Sequence, residues 1–116
     1  VEGLRARGRK HFAAALRLDP GAVEPLLAGF EPYRFCYLAM AYNEIGRPDA
    51  AQGLCGRVLD VIPTFVVAYE GMIEAYEARG ERDKAAAART RRAEIERAGE
   101  EGDGRFQEQG AKEIQP

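Results

Sequence analysis

Residues 39–51 read AMAYNEIGRPDAA, and residues 73–85 read IEAYEARGERDKA. Tyr42 and Tyr76, Gly46 and Gly80, and Ala51 and Ala85 each stand 34 residues apart. A chain of 116 residues has room for one domain, so a period of this length fills most of it. A unit this short cannot bury an apolar face alone. It must stack against its neighbouring copy, and that requirement excludes most folds open to a chain of this size.

The apolar residues recur at intervals of three and four, the spacing of one helix face. Phe35, Leu38, Ala39 and Tyr42 form one stripe; Ala51, Cys55, Val58, Leu59 and Ile62 a second; Tyr69, Met72, Ile73 and Tyr76 a third; Phe12, Ala15 and Leu16 a shorter fourth. No segment alternates with period two, so strands are not expected. Gly46 and Gly80 are placed to end helices with a positive φ that only glycine adopts cheaply. Pro48 suits a first helical turn, and Pro63 stops the helix before it. The spacing predicts helices at about residues 5–18, 33–45, 48–61, 66–79 and 82–98. The expected fold class is all-α, with antiparallel helix pairs stacked as a short right-handed superhelical solenoid.

The pattern resembles the tetratricopeptide repeat family. That family's first helix carries an aromatic, a Leu, a small residue and a Tyr before a turn Gly. Its second carries an Ala, an aromatic and a second Ala before a closing Pro. Residues 32–65 match with Phe35, Leu38, Ala39, Tyr42, Gly46, Ala51 and Pro63, while Cys55 and Val58 replace the aromatic and the second Ala. Residues 66–98 match with Tyr69, Met72, Tyr76, Gly80 and Ala85; Ile73 takes the small-residue place, and Arg89 and Arg92 stand in apolar places. Residues 1–21 look like a half repeat, a second helix only, with Gly3, Phe12, Ala15 and Pro20 in family positions. The resemblance therefore covers two and a half repeats.

Two segments fall outside it. Residues 22–31 are an insert containing Leu26, Leu27 and Phe30, expected to tuck against the helices as a packed connection or to act as a lid. Residues 99–116 are rich in glycine and charge, a composition that offsets little ordering entropy, and a disordered tail is expected. The helix at 82–98 is Ala-rich and charged nearly all round, which suits a water-facing end. The chain begins with Val rather than Met, which suggests a piece of something longer. Fourteen Arg against three Lys hints at a GC-rich bacterial gene.

Charge and chemistry exclude more than they indicate. The formal net charge is −2, so the whole protein has no field suited to nucleic acid. Residues 1–58 hold eight Lys and Arg against six Asp and Glu, and residues 59–116 hold nine against thirteen. The basic run Arg5, Arg7, Arg9 and Lys10 offers nucleic acid or an anionic surface a local contact, yet charge runs of this length more often solvate a face. The single histidine, His11, has no Ser, Cys or Asp partner in a catalytic spacing. Cys36 and Cys55 lack the spacing and extra ligands of a zinc site and read as small buried hydrophobes. No enzyme activity, cofactor or metal is expected. No apolar run approaches a membrane span and no signal peptide is visible, so a cytoplasmic location is the expectation.

What the resemblance implies is a protein–protein interaction scaffold that holds a peptide or helix in a concave groove lined by the first helix of each pair. Tyr33, Cys36, Tyr37, Met40 and Asn43 occupy that side in one pair, and Val67, Glu70, Glu74 and Glu77 in the next. The glutamates would favour a basic partner. A subgroup of the family clamps acidic chaperone tails with Lys, Asn and Arg; Cys36, Met40, Val67 and Gly71 stand at those places here, so that clamp is absent. Self-association through Phe12, Ala15 and Leu16 is a further expectation. Two alternatives remain open: an accessory domain of a larger enzyme, and an anionic-surface contact through the basic first helix.

Overall fold

Gly46 and Gly80 have φ of 83° and 73°, and no other described residue has a positive φ. Around each glycine the backbone repeats one closing pattern. Arg47 N donates to Tyr42 O at 2.7 Å and Gly46 N to Asn43 O at 3.1 Å; 34 residues on, Glu81 N donates to Tyr76 O at 2.8 Å and Gly80 N to Glu77 O at 3.1 Å. These paired bonds satisfy the carbonyls that a helix C-terminus leaves free. The sequence repeat is thus a structural repeat at both turns.

The computed structural model describes the backbone of residues 2–23, 25 and 28–114, and the side-chain surroundings of residues 7–21, 25 and 28–99. Its helices are α1 (Glu2–Leu18), α2 (Pro20–Val23), α3 (Pro32–Glu44), α4 (Pro48–Val61), α5 (Val66–Ala78) and α6 (Arg82–Ile114). No strand occurs among the described residues. Pro32 and Pro48 lie in the first turns of α3 and α4, where a missing N–H leaves no bond unmade. The Glu31 carboxylate caps α3 by accepting from Tyr33 N and Arg34 N, satisfying two of the orphan donors there.

α1 packs on α3, α3 on α4 and α5, α4 on α5, and α5 on α6. α3 and α5 start at the same end, where the Tyr33 and Phe65 rings meet edge to face at 5.0 Å. Further along the same two helices, Asn43 Nδ2 donates to Gly71 O at 3.1 Å. The core centres on α3: Phe35 and Leu38 are 1% exposed, with Leu16 of α1 and Val58 of α4 buried beside them. Burying one such side chain stabilises by about 1.5–3 kcal/mol. Gly71 marks the closest approach of α5 to α4, since a Cβ there would stand 2.7 Å from Cys55 Sγ. Both cysteines are free and buried.

Three boundaries differ from the sequence expectation. α1 begins at Glu2, and α6 continues to Ile114 instead of closing near residue 98. No proline lies between Pro63 and Pro116, so nothing interrupts the backbone ladder, although the glycines lower its propensity. In the insert, α2 gives one helical turn and Phe30 is half exposed, with its ring edge-on to Phe35 at 5.3 Å. Leu26 and Leu27 lie outside the described residues.

Candidate functional site

The expected concave groove does not stay whole. Cys36, Met40 and Val67 are buried, at 1%, 7% and 7% exposure, and this corrects their assignment to an open surface. The reason is α1. Its Gly8 lies over the Tyr37 ring, with a Cβ there only 3.2 Å from Tyr37 Cδ2, and Arg9 reaches across to α5. Arg9 Nη1 donates to Glu74 Oε2 at 2.9 Å, Nη2 binds Oε1, and Nε lies 3.4 Å from Glu44 Oε2. The hydrogen bond to Glu74 raises the Arg9 guanidinium above its ordinary value against the opposing desolvation, and Glu44 adds to it. Arg9 is half-buried, so the bridge adds position more than stability.

The remaining predicted groove residues separate. Tyr33 is exposed and lies against Tyr37, with ring centroids 6.4 Å apart, and against Phe65. Asn43 is spent on the Gly71 carbonyl. Glu70 is half-buried. Glu77 is exposed and pairs with Arg89 of α6. Of the three glutamates expected to face a basic ligand, two are therefore bound to arginines of this chain. Leu16 is also in the core, while Phe12 and Ala15 are half-buried against it, so the apolar face expected to drive self-association is reduced. Arg9 points inward, which breaks the basic run of α1 as a single surface.

An open surface lies elsewhere. Tyr69, Met72 and Tyr76 of α5 are only half-buried, and with Lys84, Ala87, Ala88 and Arg91 of α6 they line a cavity of about 260 Å³. Beyond Arg91 a second cavity of about 520 Å³ is lined by Thr64, Val66, Glu94, Ile95, Glu96, Ala98 and Gly99. Arg91 lines both, so the two form one groove along the α5–α6 seam. α6 supplies small residues to its floor, with only Ala85 and Ala88 buried among its described residues. The stripe on α5 is consequently left partly uncovered. Sequence reading assigned that stripe to the core; the signal that it opens was the charge at Arg89 and Arg92, where the other pair has Cys55 and Val58.

The chemistry available is that of a binding surface. Lys84 pairs with Glu81 at 2.8 Å, and Arg91 with Glu94 at 3.4 Å. The Lys84 hydrogen bond draws the Glu81 carboxyl below its ordinary value. Among the described residues no group of three His, Cys, Asp or Glu is placed to hold a metal ion, and no helix is long and apolar enough to cross a membrane. Burial pushes the Cys55 thiol well up, and the neighbouring Cys36 and Glu74 push the same way, so it is protonated and a poor nucleophile at neutral pH. Comparisons with protein-family models, with curated proteins and with solved structures find no match to this chain.

Proposed function

We propose that the chain is a non-catalytic interaction module of tetratricopeptide type, which holds a helix of a partner protein in the groove between α5 and α6. The observation that carries this reading is the open stripe of Tyr69, Met72 and Tyr76 above an alanine floor. Aromatic and methionine side chains at i, i+3 and i+7 are good anchors for an apolar helix face. The identical caps at Gly46 and Gly80, and the common starting end of α3 and α5, support the repeat assignment. Relative to the sequence expectation, the binding face moves from the α3 side, where α1 lies across it, to the α5–α6 seam.

The test is fluorescence anisotropy with a panel of labelled amphipathic helical peptides, against the wild type and Ala87→Arg. Ala87 is exposed on the groove wall, so the larger side chain fills the groove with no cost to the core. At least one peptide is expected to bind the wild type and to lose affinity about tenfold or more against the variant, with the far-ultraviolet spectrum unchanged. Binding indifferent to Ala87→Arg would rule this groove out as the site.

A further inference from the structure

The two cavities of the groove differ in charge and sit a measurable distance apart, and together they specify a ligand. The first is flanked by Lys84 and Arg91 and contains no acidic side chain in its lining. The second shares Arg91 but adds Glu94 and Glu96. Along α6 the first centres near Ala87 and Ala88 and the second near Ile95. That offset of about eight residues is roughly 12 Å at the helical rise. A helix laid along α6 reaches from one cavity to the other with side chains seven or eight positions apart, which lie on the same face.

We infer that the groove takes an amphipathic helix with large apolar anchors at i and i+7 or i+8, an acidic residue beside the anchor over Lys84 and Arg91, and a basic residue beside the anchor over Glu94 and Glu96. This rests on the helix-binding reading above and names the partner's chemistry. The ion pairs that hold these four side chains lie on the surface, at 51–65% exposure for Lys84, Arg91, Glu94 and Glu96. Such pairs exchange partners at little cost. An incoming acidic residue therefore competes for Lys84 and Arg91, and the order of charges along the ligand sets its polarity in the groove.

The probes are three designed Ala-based peptides of equal length and helicity. One has leucines at i and i+7 with Glu beside the first and Lys beside the second. The next has the same leucines with the charges exchanged, and the last keeps the first charge order with leucines at i and i+4. The expected result is that the first binds the wild type about tenfold more tightly than either other. Lys84→Glu/Arg91→Glu should invert the preference between the first two while remaining folded. Equal binding of the two charge orders, or tightest binding of the short-spaced peptide, overturns this inference and leaves helix binding standing, provided Ala87→Arg still abolishes it. Failure of every helical peptide to bind folded protein overturns the helix-binding reading itself. A concentration-dependent dimer in sedimentation that Ala87→Arg dissolves would assign the groove to a second copy of the chain and also overturn the inference.

Discussion

The pair α3/α4 and the pair α5/α6 carry the same sequence motif and end their first helices with the same glycine cap, yet one is closed and the other open. Phe35, Leu38 and Tyr42 are 1%, 1% and 9% exposed, while their counterparts 34 residues on, Tyr69, Met72 and Tyr76, are only half-buried. The second helices explain the difference. α4 presents Cys55 and Val58, both fully buried; α6 presents Arg89, which is exposed, and Arg92, which is half-buried, at the equivalent places. Two substitutions in the covering helix decide whether a stripe becomes core or surface. The repeat sets the backbone, and the covering residues set the function.

The sharpest way to break that comparison is to exchange the covering residues. Cys55→Arg places an unpaired charge in a fully buried site and should cost at least about 3–5 kcal/mol, a large part of a small domain's stability. The reverse exchange, Arg89→Cys, removes only an exposed pair with Glu77 and should stay within about 0.5 kcal/mol. Urea unfolding measures both, and comparable losses would mean that the two helices are equally buried.

Truncating equivalent aromatics is the next largest contrast. Phe35→Ala is expected to cost about 3–5 kcal/mol. Tyr69→Ala, half-buried beside the groove, should cost about 1 kcal/mol. Equal costs would close the groove in solution.

Gly71 sharpens the account of how α5 meets α4. Gly71→Ala gains helix propensity of about 1 kcal/mol, but its Cβ would stand 2.7 Å from Cys55 Sγ, and forcing the helices apart should cost about 1–3 kcal/mol. Net destabilisation relieved by Cys55→Ala in a double-mutant cycle is expected. Simple additivity would show that the contact is not tight.

The smallest contrast is between the caps, where no difference should appear. Gly46→Val and Gly80→Val each force a β-branched residue to positive φ and should each cost about 1 kcal/mol or more. A melting midpoint unmoved in either variant would separate the two turns.

The backbone was largely legible in the sequence because its signals are local. The prolines and the two glycines placed α3 to α5 within a residue or so of their observed bounds, as capping chemistry depends on immediate neighbours. The candidate site was less legible because exposure depends on what lies across a face. Arg9 and Glu74 stand 65 positions apart, and no spacing rule announces that α1 will cover Tyr37, Cys36 and Met40. Gly71 in mid-helix was a readable sign of close packing, as were Arg89 and Arg92 of an uncovered stripe. The first was read only as a missing clamp residue and the second as a loosely packed end, where in fact α6 is a groove wall.

Thiol counting on Leu38→Cys and Met72→Cys tests the central claim most directly, because the two positions are equivalent in the repeat and differ only in cover. With a colorimetric thiol reagent under native conditions, Met72→Cys should add one rapidly reacting thiol. Leu38→Cys should add none, its new thiol reacting only on unfolding together with Cys36 and Cys55. Rapid reaction at position 38 or at the native cysteines, or protection at position 72, would contradict the distinction between a closed pair and an open one.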